Sequence, residues 1–548
     1  MTTNPTLATT SGTAVHEHHY PELSKKQKNA ILAAMCIALI AVVSSVSGLN
    51  TAQQKITEEL GTTQSEFLWV TNGYTLALAA LLMPIGAIGD RWSRRKILLG
   101  GLSIYLVSNI LGAFASGTGM LIATRVIAGV GASMIMPVTL SVITSTFHGE
   151  ERERAIGIWS GFAGAGAILG MFVSSVIVDN FSWPLVFVLP IVLALLAAFL
   201  AAKNVVDIAE HHEGRFDVIG GVLSALAVGG LVFGIHEGPE KGWGEAITLL
   251  PLAVGVLATA AFIFYELRHE NPLLNVRVFK NRMLSAGTGL LFLIFIVMMG
   301  LFLVMPQFLM GVLGWGAVKA TAGLLPMAAA MMPLSTISPL IARKTGTRTV
   351  FIIGFAMAAV GLAIVATMVS AETGYLSILP GLLIMGAGIG LSMTPGTSAI
   401  TGSLPAEDQG IASALNDSVR EIGASIGIAF IGSILSSGYA DRMGDASTKV
   451  TEIAASMPAL PEGLSPEGAG ELVKEGIFQA AAMSQQLGQI EAFKPQAGEL
   501  LLSAQHAFVD SWSNTMWIGA GIAAFAAVLA VILTPSKEKE NEFRADRD

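Results

Sequence analysis

The sequence is poor in charged residues and in cysteine, and both shortages restrict what the protein can be. Asp, Glu, Lys and Arg make up 13% of the 548 residues, whereas 53% are hydrophobic. Soluble domains carry about 25% charged residues, so this composition indicates an integral membrane protein. The single cysteine, Cys36, lies inside an apolar run, and no intrachain disulfide can form.

The sequence also lacks the motifs of nucleotide use and of catalysis. It contains no G-x-x-x-x-G-K-[ST] loop, which argues against nucleotide-driven pumping by this chain. The apolar runs hold no cluster of His, Asp, Cys or Ser groups, so we do not expect an enzyme. We also expect no cofactor and no nucleic-acid partner.

One short group near the N-terminus contains metal-ligand residue types, namely His16, Glu17, His18 and His19. No second group of possible ligands lies nearby in the sequence, and the surrounding residues are polar. We therefore expect a disordered tail there and no metal ion.

Apolar runs of about 20 residues recur along nearly the whole chain, and each is long enough to cross a bilayer as a helix. Fourteen spans are predicted, at 30–49, 67–88, 97–116, 119–145, 155–178, 183–202, 217–236, 246–266, 284–309, 320–342, 348–369, 376–402, 411–437 and 513–534. An even number places both termini on one side. Most of the 31 lysines and arginines fall on that side, so the positive-inside rule predicts that both termini are cytoplasmic. We expect a multi-pass protein of the plasma membrane.

One sizeable segment outside the membrane is predicted, at 438–512, between the last two spans. Ala, Gln, Leu and Met recur at helical spacing between Glu467 and Ile490, a pattern consistent with one or two helices. A substrate-access element or a partner surface would fit this position. We slightly favour the alternative of a loosely ordered loop.

Three charged residues interrupt the thirteenth predicted span, and they are Asp417, Arg420 and Glu421. Asp417 and Glu421 are four residues apart and share one helical face, with Arg420 beside them. A charge at membrane depth costs at least ~2.5 to 3.5 kcal/mol on insertion scales, so the group needs a reason. We favour a proton or cation site that faces an aqueous pathway. A structural ion pair near the cytoplasmic end of the span is the alternative.

The loop between the second and third predicted spans carries a dense charged motif. It reads Gly-Ala-Ile-Gly-Asp-Arg-Trp-Ser-Arg-Arg-Lys over residues 86–96, and without further context its cations would only hold the topology. The pattern resembles the signature loop of the major facilitator superfamily, which locks two helical bundles together on the cytoplasmic side. The family usually has Gly where this chain has Ser93. The residues that the resemblance implicates are Gly86, Asp90, Arg91, Arg94 and Arg95.

Two further motifs extend this resemblance. The fourth predicted span contains Arg125-Val-Ile-Ala-Gly129, which is similar to the family's buried-arginine motif and implies a role of Arg125 in proton coupling. The fifth span matches the family's glycine-rich antiporter motif at Gly166 and Gly170 only. Met171 stands where the family has Pro, and Ser174 and Ser175 stand where it has a pair of glycines, so this motif gives weaker support for an antiporter.

A narrower resemblance is to the fourteen-span drug:proton antiporter branch. It rests on the span count and on Trp69-Val-Thr-Asn72-Gly-Tyr74, Phe216-Asp217-x-x-Gly220 and the Pro272–Phe279 segment. Members of that branch export quaternary ammonium compounds, dyes and antibiotics. The implied fold is an all-α polytopic membrane protein of two six-helix bundles with two extra central spans.

The predicted organisation follows from these spans. The parts are a cytoplasmic tail (1–29), an N-terminal six-helix bundle (30–202), linkers with two extra spans (203–283), five spans of the C-terminal bundle (284–437), an extracytoplasmic insert (438–512), the last span of that bundle (513–534) and a cytoplasmic tail (535–548).

The branch often carries paired acidic residues in the thirteenth span, and Asp417 and Glu421 stand at the matching positions. Another acidic position, in the first span, is Ser45 here, and the tenth predicted span has no carboxylate. Monovalent lipophilic cations or neutral amphiphiles are therefore better candidate substrates than dications. The proton-coupling candidates are Glu421, Asp417, Arg125 and Arg420, and the substrate-binding candidates are Glu421, Asp417, Trp69, Asn72, Tyr74 and Met134.

The sequence thus favours a proton-coupled multidrug efflux transporter that works by alternating access. Its expected partners are small hydrophobic substrates, protons and the lipid bilayer, and we expect it to function as a monomer. An exporter dedicated to an endogenous metabolite or a lipid-like molecule is the first alternative. A non-transporting membrane sensor or enzyme is the second and less favoured one.

Overall fold

A computed structural model describes residues 23–206, 216–457, 465–538 and 540, and every regular element assigned in them is a helix. Fourteen helices there are long and apolar enough to cross a membrane, as the sequence predicts. We number them spans 1 to 14, in the order Lys25–Thr51, Ser65–Arg91, Arg94–Ala113, Thr118–Thr146, Gly149–Asn180, Trp183–Asn204, Val218–Lys241, Ala246–Glu266, Arg282–Gly311, Ala317–Thr345, Thr347–Met368, Leu379–Thr401, Ala406–Arg442 and Glu491–Leu533. The group at 16–19 lies outside the described residues.

The predicted bounds agree with the structure to within about two helical turns, except at the start of span 14. That span was expected to begin at 513, but its helix runs without a break from Lys494 to Leu533. Hydropathy detects only the apolar part of this helix. The more polar first part leaves the membrane segment and packs against the insert.

The spans form two bundles and an added pair. Spans 1–6 pack among themselves, and so do spans 9–14. The bundles meet where span 5 lies against span 10 and where span 13 lies against spans 2 and 4. Spans 7 and 8 pack together, and span 7 contacts spans 2 and 13. The added pair therefore covers one side of the interface between the bundles.

Both described chain ends lie at the same end of the bundles, which we call the terminal face. Lys28 Nζ pairs with Glu151 at the start of span 5, at 2.6 Å. Lys537 Nζ donates to the backbone oxygen of Lys344 at the end of span 10, at 2.7 Å. We call the opposite end the insert face, because the segment between spans 13 and 14 lies there.

The insert is helical, so the expectation of a loosely ordered loop is wrong for residues 438–457 and 465–512. Ile477 packs on Gly311 at the end of span 9, and Tyr439 Oη donates to the backbone oxygen of Val473 at 3.3 Å. Apolar residues at helical spacing give each short helix a face to bury. The helices between spans 13 and 14 are Gly444–Ser456, Pro466–Glu475 and Ile477–Gly488.

Spans 9 and 13 approach one another closely at Gly427. A Cβ atom at this position would lie 2.3 Å from the backbone oxygen of Ile296. Helices in membranes associate through such close backbone contacts, which small residues permit. The second bundle therefore depends on the absence of a side chain here.

We predict that Gly427→Ala lowers the thermal stability of the purified protein, because the added methyl group must push spans 9 and 13 apart. Overpacking of this kind typically costs ~1 to 3 kcal/mol. Gly521→Ala is the matched control, since no atom lies within 4 Å of a Cβ added there. Fluorescence-detected size-exclusion chromatography after heating measures both. Equal melting behaviour of the two variants would contradict the packing argument.

Candidate coupling and substrate site

A clamp at the terminal face joins the two bundles, and its centre is Asp90 in the last turn of span 2. The Asp90 carboxylate accepts the backbone N–H of Gly410 at 2.7 Å and that of Ile411 at 2.9 Å. N–H groups in the first turn of a helix, such as these two of span 13, have no acceptor within the helix, and the helix dipole favours a negative charge there. Arg94 donates to Asp90 at 3.0 Å and to the backbone oxygen of Ala406 at 3.4 Å.

Gly86 lets spans 2 and 13 touch one turn above this clamp. A Cβ on Gly86 would lie 2.6 Å from Ala414 Cβ and 2.7 Å from the backbone oxygen of Gly410. Any larger residue would separate the helices and lengthen the hydrogen bonds of Asp90. The glycine of the signature motif therefore has a steric reason in this chain.

The other two arginines of the motif bind inside the first half of the molecule. Arg91 Nη1 donates to the backbone oxygen of Ala87 at 3.3 Å, and its guanidinium lies over the ring of Phe216, 5.7 Å from the centroid. Arg95 Nη2 donates to the backbone oxygen of Ala202 at the end of span 6, at 2.5 Å. Of the predicted motif residues, Gly86, Asp90 and Arg94 contact the second bundle.

A second bridge lies beside the clamp, and the sequence reasoning missed it. Arg152 at the start of span 5 donates to Gln409 Oε1 at 2.9 Å and to the backbone oxygen of Thr401 at 3.0 Å. Gln409 is buried and donates to Thr401 as well. In the sequence, Arg152 is one of two arginines at the start of span 5, and nothing there indicates a partner on the second bundle.

The charged group of span 13 divides into a buried ion pair and a separate carboxylate. Asp417 is fully buried, and its Oδ1 accepts Arg420 Nη1 at 3.2 Å and Asn416 Nδ2 at 3.1 Å. Glu421 is half-buried, and among the described residues it forms no ion pair. Asp417 and Arg420 thus form a structural ion pair, the alternative interpretation of this charged group. Glu421 remains partly exposed, as a proton site requires.

Two aromatic rings enclose the guanidinium of Arg420. Its Cζ lies 4.8 Å from the ring centroid of Phe295 in span 9 and 5.2 Å from that of Trp159 in span 5. Trp159 is fully buried, and its Nε1 donates to Thr139 Oγ1 of span 4 at 3.1 Å. The sequence contains one signal for this contact, the only tryptophan of span 5, which lies in a Gly- and Ala-rich stretch.

Arg125 is buried in the first bundle without a carboxylate partner among the described residues. Its Nη1 donates to Ser45 Oγ at 2.8 Å, and its guanidinium lies 4.2 Å from the ring centroid of Tyr74. Its Nε has no hydrogen-bond partner. Ser45, the position at which the family resemblance leads us to expect an acidic residue, is therefore in contact with this arginine but offers a neutral hydroxyl group.

The predicted substrate residues on span 2 do not share one surface. Tyr74 is fully buried beneath Arg125, and its Oη donates to the backbone oxygen of Val42 at 3.2 Å. Tyr74 also lies near enough to Glu421 to interact with it electrostatically. Trp69 is 38% exposed and contacts the ring of Phe233 in span 7, with centroids 5.6 Å apart.

Asn72 and Met134 occupy different environments. Asn72 is half-buried on span 2. Met134 packs against Gly100 and Gly101 of span 3, so it lies within the first bundle and not beside Glu421. The structure thus brings Tyr74, Arg125 and the span 13 group together and leaves Trp69 and Met134 apart from them.

The sequence was compared with known families and structures. It matches the family model described as Major Facilitator Superfamily over residues 34–428. The chain belongs to the major facilitator superfamily. The proteins of this family and the structural neighbours are transporters, so the chain is an integral membrane protein of a transporter family whose substrates are small molecules.

Several relatives carry names of export or resistance proteins. The multidrug efflux pump LfrA of Mycolicibacterium smegmatis is 30% identical over 91% of this chain and 94% of its own length. The methyl viologen resistance protein SmvA of Salmonella typhimurium is 27% identical over 88% of this chain and 93% of its own length. A bacterial homolog of the human lysosomal transporter Spinster, at 15% identity, aligns with a TM-score of 0.56 over 94% of this chain and 100% of its own, which supports the fold alone.

We predict that Asp90→Ala exposes the interface between the bundles at the terminal face. Ser413, which is fully buried in span 13, can report this as Ser413→Cys in a Cys36→Ala background. Hydrogen bonds to a charged group contribute ~1.5 to 3 kcal/mol each, so maleimide labelling of Cys at 413 should rise by roughly tenfold or more.

Glu150→Gln is the matched control, because Glu150 also joins the bundles at this face, through Arg343. That pair is solvent-exposed, and exposed ion pairs contribute only ~0 to 1 kcal/mol. Labelling that rises equally in both variants would show that charge at this face matters and the Asp90 geometry does not.

Proposed function

We propose that this protein is a proton-coupled multidrug efflux transporter that exports lipophilic monovalent cations or neutral amphiphiles. The observation that carries the proposal is the state of Glu421. Glu421 lies roughly 18 Å along the axis from Gln409, where the continuous α-helix of span 13 begins, at 1.5 Å per residue. Its side chain is half-buried and forms no ion pair among the described residues. An intramembrane carboxylate of this kind is by default part of an ion or substrate pathway.

Glu421 is the proposed proton carrier, and the Asp417–Arg420 pair beside it sets its electrostatic environment in this conformation. A cationic substrate and a proton would compete for the same carboxylate. Binding of one then displaces the other, which is the simplest chemistry for exchange. Arg125 is the proposed counterpart on the first bundle, through Tyr74, whose ring contacts Arg125 and which interacts electrostatically with Glu421.

Orientation and mechanism follow from the charge distribution and the clamp. We assign the terminal face to the cytoplasm, since most lysines and arginines lie there, and we place the protein in the plasma membrane. The bridges formed by Asp90 and Arg152 then close the cytoplasmic side in this conformation. Alternating access requires that these bridges break while the outer side closes. We expect a single chain to suffice, because the interface lies within one chain.

The unpaired charge of Arg125 supports monovalent or neutral substrates. With Ser45 in place of a carboxylate, and with no carboxylate in span 10, the first bundle offers a cation no compensating negative charge. The positive charge of Arg125 would repel both charges of a dication but only the single charge of a monovalent cation. The proposed substrate class thus differs from the compound in the name of the relative SmvA, methyl viologen, which is a dication.

We predict that Glu421→Gln abolishes substrate movement driven by a proton gradient. Proteoliposomes with an imposed gradient and a fluorescent lipophilic cation measure this directly. The amide keeps the shape of the side chain but cannot carry a proton, so downhill substrate exchange should persist. Glu372→Gln, in the exposed loop between spans 11 and 12, is the control. Gradient-driven transport at the wild-type rate in the Glu421 variant would refute the proposal.

We also predict that Ser45→Asp improves transport of dications such as methyl viologen. The new carboxylate would lie within hydrogen-bonding distance of Arg125, since Ser45 Oγ is 2.8 Å from Nη1, and would neutralise it. Ser45→Asn is the control, because it has a similar size and no charge. Growth of an exporter-deficient strain in methyl viologen, with transport in proteoliposomes, gives the readout. An Asp variant that behaves like the Asn variant would remove the electrostatic argument about substrates.

A further inference from the structure

The contact between Arg420 and Trp159 crosses the interface between the two bundles. Arg420 belongs to span 13 of the second bundle, and Trp159 belongs to span 5 of the first, with 5.2 Å between the guanidinium carbon and the ring centroid. Phe295, on the other ring contact, belongs to span 9 and therefore to the same bundle as Arg420. Of the two ring contacts of Arg420, only the one with Trp159 must therefore change when the bundles move relative to each other.

Each partner is fixed to its own bundle. The indole N–H of Trp159 is bound to Thr139 of span 4, and Arg420 is bound to Asp417 one turn away on span 13. Trp159 cannot follow Arg420 if the bundles separate, because that would break a hydrogen bond of a fully buried indole. The cation–π contact therefore exists only while the bundles are closed on the terminal side.

Without the indole ring, the buried guanidinium of Arg420 would lack one of its stabilising contacts in a low-dielectric site. Two carboxylates are close to it in the sequence, Asp417 and Glu421. Asp417 already accepts Arg420, whereas Glu421 forms no ion pair among the described residues. The free acceptor nearest in the chain is therefore the carboxylate of Glu421.

Few other charged groups surround this site among the described residues. Spans 9 and 12 carry none beyond Arg282 at the terminal face, and the membrane part of span 14, 513–533, carries none. Span 5 has charged residues only at its two ends, and span 7 has His236 and Glu237 near the insert face. Tyr74 of span 2 is close to Glu421, with Arg125 of span 4 stacked on its ring. Arg420 is thus the cation that lies next to Glu421 in the chain and interacts with it electrostatically.

We propose that Trp159 is a positioning residue for coupling, which holds Arg420 on Asp417 while the terminal side is closed and releases it toward Glu421 when that side opens. The released guanidinium favours the ionised carboxylate, so the proton on Glu421 passes to water on the terminal side. Closure returns Arg420 to the indole ring and leaves Glu421 outside an ion pair, ready to accept a proton from the insert side. This inference rests on the proposed function for its direction of proton movement.

The test compares Trp159→Leu with Trp159→Phe. Leu keeps an apolar side chain but has no π face, whereas Phe keeps a π face. Loss of a desolvated cation–π contact favours the open state, so maleimide labelling of Ser413→Cys should rise by roughly tenfold or more in the Leu variant. Gradient-driven transport should fall relative to downhill exchange, because substrate then crosses without an obligatory proton. Trp159→Phe should recover most of both properties.

Two variants serve as controls. Phe295→Leu removes the ring on the same bundle as Arg420 and should not raise labelling at 413. Trp517→Leu, on a surface-exposed tryptophan of span 14, should leave both readouts unchanged. If Trp159→Leu does not fold, Thr139→Val loosens the indole and should raise labelling to a smaller extent.

The outcomes separate this inference from the proposed function. Labelling at 413 requires no transport, so a rise in the Leu variant and rescue by Phe support the positioning role even if Glu421→Gln is inactive for another reason. Equal impairment of the Leu and Phe variants, or a wild-type ratio of driven to downhill transport in the Leu variant, overturns it. Failure of the Glu421 test with an intact labelling pattern counts against the proposed function alone.

Discussion

The burial of charge between two helical bundles is the constraint on which this structure depends. Span 13 contributes to both sites at which charge is buried. Its free N–H groups bind the Asp90 carboxylate of the other bundle, and its interior holds the Asp417–Arg420 pair. A buried charge that loses its partner is strongly destabilising, so the contacts of Asp90 with span 13 fix the relative position of the bundles. The same helix therefore forms the clamp and carries the proposed proton site.

The two bundles are electrically unequal at their meeting point. The first contributes Arg125 with a hydroxyl group and an aromatic ring as its partners, and the second contributes an ion pair with one further carboxylate. Because aromatic and hydroxyl contacts compensate a cation less fully than a carboxylate does, the charge of Arg125 is less fully compensated than that of Arg420. This asymmetry links the proposed substrate preference and the proposed proton transfer to the same few side chains.

Much of the fold followed from the sequence, and the site followed only in part. Span number, the signature motif and the charged group of span 13 are local patterns, and the structure has them where they were expected. The roles within that group could not be divided beforehand, since Asp417 and Glu421 look alike in sequence and differ in burial. Met134 was a candidate for the substrate wall by residue type, and its contact with Gly101 lies inside the first bundle.

The sequence by itself determined that the chain crosses the membrane fourteen times as helices and that it buries charge in span 13. These properties depend on the transfer of side chains between water and lipid, which each segment fixes alone. Only the tertiary structure decided which carboxylate Arg420 binds, that Trp159 covers it from the opposite bundle, and that the insert is helical. The contact with Trp159 joins residues hundreds of positions apart, and the choice between Asp417 and Glu421 depends on distances and burial that the sequence of span 13 does not specify.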